Sequence, residues 1–116
     1  MPIFEPGDVV KVPFPYTDRA TRQRRPALVV SDASLQEAHG LLWVLMITSA
    51  ENRGWPGDVA VPDLAAAGLP VPSVIRSAKI ATIDARDAEP LGRIATRTRK
   101  QVLRHVGTVL RLDGDA

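Results

Sequence analysis

Two residues in this chain pair a phosphate-matching side chain with a rigid place to hold it. Arg25 stands directly before Pro26, where the apolar run Ala27 to Val30 begins, and Thr48 follows the apolar run Leu41 to Ile47. Each sits at the end of a predicted strand, so the scaffold can fix its side chain. A guanidinium is always charged and offers a planar fork of donors that matches phosphate oxygens. It can neutralise the charge that builds on those oxygens when an RNA 2′-hydroxyl attacks. A threonine hydroxyl can donate a second hydrogen bond to the same group. Arginine is a poor proton shuttle, since its pKa lies above about 12, so electrostatic stabilisation is the role assigned to Arg25.

The surroundings of Arg25 point the same way. Arg19, Arg22, Arg24 and Arg25 crowd a loop between two strand-like runs, within G-D-V-V-K-V-P-F-P-Y-T-D-R-A-T-R-Q-R-R-P-A-L-V-V-S. Net charge is only +2, yet 12 of the 15 basic residues are Arg and they cluster here and at Arg93 to Arg104. Patches of this kind attract a polyanion even when acids elsewhere cancel the sum. The loop cluster points to nucleic acid; the second cluster reads as a solvated helix face.

Other chemistry finds little support. There is no glycine-rich phosphate loop, no H-E-x-x-H and no G-x-S-x-G. Of the two histidines, His105 falls beside the apolar stripe of a predicted helix and His39 in a predicted loop, both read as packing or solvated positions. Asp58, Asp63, Asp84, Asp87 and Glu89 lack metal-site spacing and read as surface or capping carboxylates. Without cysteine, disulfides and thiolate metal sites are excluded. No metal and no cofactor is expected. Pro2, Glu5, Pro6 and Gly7 interrupt any basic-then-apolar leader, and the longest apolar run, Leu41 to Ile47, is too short to span a bilayer. A soluble cytoplasmic protein with no membrane partner is the expectation.

The elements that must position Arg25 and Thr48 follow from periodicity. The 116 residues, 45% of them apolar, suffice for one domain over 1–116 with its own core. Gly7 to Phe14 alternates, with Val10, Val12 and Phe14 on one face and Lys11 on the other, as in a half-buried strand. Ala27 to Val30 reads as a buried strand, Asp32 to Gly40 as a loop, and Leu41 to Ile47 as a central strand. Asn52 to Gly57 is a loop carrying Trp55, and Asp58 to Val61 a strand. Asp63 caps a single helical turn, Leu64 to Ala67, stopped by Gly68. Ser73 to Asp84 is a strand whose broken alternation implies a bulge near Ser77. Leu91 to Ala95 is a short strand. Thr98 and Gln101 match a capping box, followed by Val102, Leu103, Val106, Val109 and Leu110 at helical spacing. The sum is a β-rich α+β domain, a partly open barrel closed by a C-terminal amphipathic helix.

With these motifs the chain resembles the MazF/PemK family of toxin endoribonucleases. The likeness runs from about Gly7 to the last helix. It is carried by G-D-V-V-K-V-P-F-P-Y-T-D, R-R-P-A-L-V-V-S, I-T-S at Ile47 to Ser49, D-V-A-V-P with A-G-L-P, P-S-V-I-R-S-A-K-I-A-T-I-D and P-L-G-R-I, in that order. The resemblance implies a small SH3-like barrel that pairs into a homodimer and cleaves single-stranded RNA, mRNA above all, at specific sequences without metal. It places the family's catalytic arginine on Arg25 and its catalytic threonine on Thr48, with Ser49 beside it among the RNA contacts. The loop Pro15 to Arg24, with Arg19, Arg22 and Arg24, would line the RNA path. A cognate antitoxin would thread an acidic-hydrophobic tail through the same groove. Where many relatives carry a carboxylate and then Lys or Gln, this chain has Ala78-Lys79, a departure that bears on target sequence or rate. Lys79 is read as a phosphate contact or a solvated lysine. Trp55 is read as a base-stacking residue or as a dimer or core contact.

Two other functions share the barrel. A CcdB-like toxin that blocks DNA gyrase binds through its C-terminal helix end with a tryptophan; this chain ends L-R-L-D-G-D-A, with no aromatic. A passive RNA-binding barrel would use the basic loop but need neither Arg25 nor Thr48.

Overall fold

Alternation and turn chemistry set the strands. The computed structural model describes residues 2–14 and 23–112. Within them the elements run β1 (Asp8–Pro13), β2 (Arg24–Val29), α1 (Ala33–His39), β3 (Leu41–Ser49), β4 (Asp58–Ala60), α2 (Leu64–Ala67), β5 (Ser73–Asp84), β6 (Glu89–Arg93) and α3 (Thr96–Leu110). The six strands form one antiparallel sheet in the order β4-β5-β3-β2-β1-β6. The apolar run of β3 lies inside the sheet, as a strand buried on both faces should.

The expected bulge is present and larger than one residue. Leu45 pairs with Ile80 but Met46 pairs with Arg76, so Ser77, Ala78 and Lys79 are looped out of the ladder. Before it β5 pairs with β4 on its other edge (Asp58 opposite Arg76). Bulges sharpen twist and bend a strand, and here the bend curls the sheet. The helical turn α2 then packs from the β4 side onto β6, bringing the two sheet edges toward one another. The approach is so close that a Cβ at Gly68 (φ 73°) would stand 2.2 Å from the Leu91 carbonyl oxygen, and one at Gly92 2.3 Å from the Ala66 carbonyl oxygen. The barrel is thus partly open, with α2 set across the gap.

Two cores result. Val9, Leu28, Leu45, Ile47, Val59, Ile75 and the helix residue Val102 pack inside the curl. Phe4, Val10, Val12, Phe14, Val29, Leu42, Val44 and Ile83 pack on the other face.

Three expectations are corrected. Asp32 to Gly40 is not a loop. Asp32 accepts from the Ser34 N–H as N-cap, and Gly40 closes α1 in the left-handed region at φ 70°; with only Gln36 buried, the helix has no apolar stripe to reveal it. His39 therefore ends a helix. Pro26 lies inside β2, opposite Lys11; it is tolerated because the β2–β3 ladder begins only at Ala27. Thr98 does not cap α3. The N-cap is Ala95, without a side-chain hydrogen bond, and Thr98 is buried inside the first turn while Gln101 is exposed. Ile94 donates its N–H to the Gly7 carbonyl and packs with Val102, so the chain must enter the helix directly after it. A missing cap costs about 1 kcal/mol. Full burial of Val102 contributes roughly 1.5–3 kcal/mol, so packing decides where the helix begins. Past Val106 the apolar stripe leaves the core, and Val109 and Leu110 are exposed.

Candidate functional site

A groove of about 770 Å³ opens between the start of β2, the end of β3 and the segment around α2. Arg25 and Thr48 both line it, with Lys11, Ser49, Leu69 and Val71 among the other walls. The pairing explains the meeting. Ala27 and Met46 are the first pair of the β2–β3 ladder, so Arg25, just before Ala27, and Thr48, just after Met46, come to the same end of the sheet.

The two side chains differ in how they are held. Nε of Arg25 is buried and has no hydrogen-bond partner among the described residues. Thr48 is only 8% exposed, and its Oγ1 accepts from Nδ2 of Asn52 at 3.0 Å. Ser49 ends β3 and accepts from the Glu51 N–H at 3.2 Å, capping the 3-10 turn Ala50–Asn52 that carries Asn52. A half-buried guanidinium and a threonine hydroxyl line one groove with apolar walls, an arrangement suited to an anion that bears a hydrophobic neighbour. Low local dielectric strengthens both donors.

The remaining expected residues are distributed as follows. Arg24 lines the groove, but its Nη2 is engaged by the carbonyls of Lys11 at 3.1 Å and Asp87 at 2.8 Å, so part of its fork binds backbone. Arg19 and Arg22, with most of the basic loop, lie outside the described residues. Trp55 and Lys79 are not groove walls. Trp55 is 45% exposed, with the Arg76 guanidinium carbon 4.2 Å and the Lys79 Nζ 5.5 Å from its ring centroid. Both distances are within cation–π range. Ala78 is exposed on the bulge. Neither His39 nor His105 lines the groove. Among the described residues no group of His, Cys, Asp or Glu gathers as a metal site, and no helix is long and apolar enough to cross a membrane.

Sequence reading missed four residues. Lys11, assigned only to an outer strand face, is a groove wall because the β1–β2 hairpin sets it opposite Pro26; that pairing was the available signal. Asn52, Asp58 and Arg76 form a network beneath Thr48. Arg76 grips Asp58 with Nε to Oδ1 at 3.1 Å and Nη2 to Oδ2 at 2.9 Å, and the two side chains are 7% and 8% exposed. Burial pushes the Asp58 carboxyl up, but the Arg76 fork and the Trp55 and Gly54 N–H groups outweigh it and hold it below the ordinary carboxylate value.

The same fold occurs in solved structures. MazF from Deinococcus radiodurans is 26% identical, with a TM-score of 0.78 over 96% of this chain and 99% of that one. A MazE-MazF complex from the same organism is 27% identical, with a TM-score of 0.75 over 95% and 97%. An endoribonuclease in complex with its cognate antitoxin from a Mycobacterial species is 18% identical and shares the fold, with a TM-score of 0.73 over 96% of each chain. No curated protein matches the chain in sequence. The family model of the PemK-like, MazF-like toxins of type II toxin–antitoxin systems matches residues 5–110. The chain belongs to that family.

Proposed function

We propose that this toxin is an endoribonuclease that cleaves single-stranded RNA, mRNA above all, at specific sequences and without metal, inhibiting translation and growth. The observation that carries the reading is the meeting of Arg25 and Thr48 across one groove. A 2′-hydroxyl gives up its proton to water and attacks the adjacent phosphorus; the new P–O2′ bond forms, the P–O5′ bond breaks, and the leaving 5′ oxygen takes a proton from water. Negative charge rises on the non-bridging oxygens between those events. Arg25 neutralises that charge and Thr48 donates a hydrogen bond to it, so both act more strongly on the transition state than on bound RNA. Lys11 adds positive charge beside them, and Trp55 with Lys79 offers a stacking and phosphate station outside the groove.

Cationic and apolar walls together also suit an acidic-hydrophobic antitoxin tail, whose binding would occlude the RNA path. Pairing into a homodimer belongs to the same reading; exposed Trp43 and Ile80 on β3 and β5 offer apolar surface to cover. The protein acts in the cytoplasm, where its substrate lies.

The test is cleavage of a long unstructured RNA by purified protein in EDTA, beside Arg25→Ala. Discrete products that vanish in the variant are expected. Intact RNA with the wild-type protein would overturn the reading and turn attention to gyrase inhibition or passive RNA binding, the latter recognisable by steep salt dependence.

A further inference from the structure

Thr48 depends on a neighbour for its hydrogen-bond geometry. Its oxygen accepts from Nδ2 of Asn52 at 3.0 Å. A hydroxyl that accepts from an amide N–H cannot also donate to that nitrogen, so its own hydrogen is directed elsewhere. Asn52 is an exposed residue at the end of a short 3-10 turn, a place where a side chain would ordinarily sample several rotamers.

What holds Asn52 lies beneath it. Nη2 of Arg76 donates to the Asn52 carbonyl at 2.6 Å while the same guanidinium forks onto Asp58. Asp58 Oδ2 in turn accepts from the N–H groups of Gly54 at 3.3 Å and Trp55 at 3.2 Å. One buried ion pair thus grips the loop at Asn52, Gly54 and Trp55. Apolar residues of similar volume often serve stability as well as a buried pair, so what this pair adds is the loop geometry it imposes.

We propose that Asn52 is a positioning residue, locked by the Arg76–Asp58 pair, that presets the Thr48 hydroxyl as a donor into the groove. The inference rests on the ribonuclease reading. It makes Thr48 a prearranged donor, and such donors act without reorganising during the reaction.

The experiment is steady-state RNA cleavage, with melting curves, for the wild type, Asn52→Ala and Asn52→Asp. Asn52→Ala removes the donor at an exposed position. It is expected to lower kcat about tenfold, the effect of one lost hydrogen bond, with KM and Tm near wild type. Asn52→Asp replaces the donor by an acceptor that captures the Thr48 hydrogen and turns it out of the groove. It is expected to lower kcat further, by about a hundredfold, as when a transition-state donor is removed. Wild-type kcat in Asn52→Ala, or Asn52→Asp as active as Asn52→Ala, overturns the inference while leaving the ribonuclease reading intact. A kcat loss accompanied by a matching fall in Tm assigns Asn52 to folding and also overturns it. A wild-type protein that leaves RNA uncut overturns the ribonuclease reading itself, and the inference with it.

Discussion

On the ribonuclease reading, Arg25→Ala should separate catalysis from stability. The side chain contributes a buried Nε without a partner among the described residues, in a groove where a phosphate would supply one. Catalysis loses a prearranged donor and its charge. Removing one such donor typically costs about 10²–10³ in rate, and the loss of a full positive charge puts the expectation at the upper end. Stability moves differently. An unsatisfied buried donor costs about 1–3 kcal/mol, and truncation removes that penalty. Against it stands the lost packing of the aliphatic stem, about 0.8 kcal/mol for each buried methylene. These terms nearly cancel, so the melting temperature should stay within about 4 °C of wild type, the shift that roughly 1 kcal/mol produces in a domain of this size. The assay is RNA cleavage in EDTA followed on gels, with thermal unfolding of the same preparations. Cleavage at the wild-type rate would refute the catalytic assignment. A fall of more than about 8 °C, or about 2 kcal/mol, would show that Arg25 holds the fold, and a rate loss could then no longer be ascribed to chemistry.

Other consequences are open to direct measurement. Gly92→Ala would set a Cβ 2.3 Å from the Ala66 carbonyl oxygen, forcing α2 off β6; urea unfolding should show a loss of about 1–3 kcal/mol, and an unchanged midpoint would disprove the close approach. Trp55→Ala, placed in an Arg25→Ala background to prevent cleavage, should weaken single-stranded RNA binding by about 1–3 kcal/mol if the indole stacks on a base; equal affinity would assign Trp55 to another surface. The Asp58 carboxyl is held below its ordinary value, so its contribution is fully present above the unfolded-state value near ~3.9 and is lost as pH falls through the folded-state value. Urea midpoints between neutral and strongly acidic pH should therefore decline less steeply with acid in Asp58→Asn than in the wild type, from a lower neutral-pH starting point; identical acid slopes would contradict the linkage.

Local rules made much of this fold legible. Alternation revealed β1, the apolar run revealed β3, and the Asp63 and Gly68 signals bounded α2 at its observed residues. Broken alternation placed the β5 bulge, since a looped-out segment must shift the period of inward-facing residues. Failures came where tertiary packing overrode a local signal. Ile94 and Val102 pull the start of α3 ahead of the Thr98 capping box, and α1, with Gln36 alone buried, has no stripe for periodicity to find.

The candidate site divides along the same line. Arg25 and Thr48 stand out by residue type and by their places at strand ends, and both line the groove. Their supporting residues carry no such signature. Asp58 and Arg76 stand 18 residues apart and meet because β4 pairs with the first part of β5, while the bulge sets the same Arg76 opposite Met46 on the other side. Were the β3–β5 ladder to run on from the Leu45–Ile80 pair without a bulge, Lys79 would stand opposite Met46 instead, a point charge in place of a planar fork. Such a side chain could not hold both Asp58 oxygens and the Asn52 carbonyl in the same geometry. The bulge is therefore more than a bend in the barrel: it selects which cation lies beneath the loop that supports Thr48.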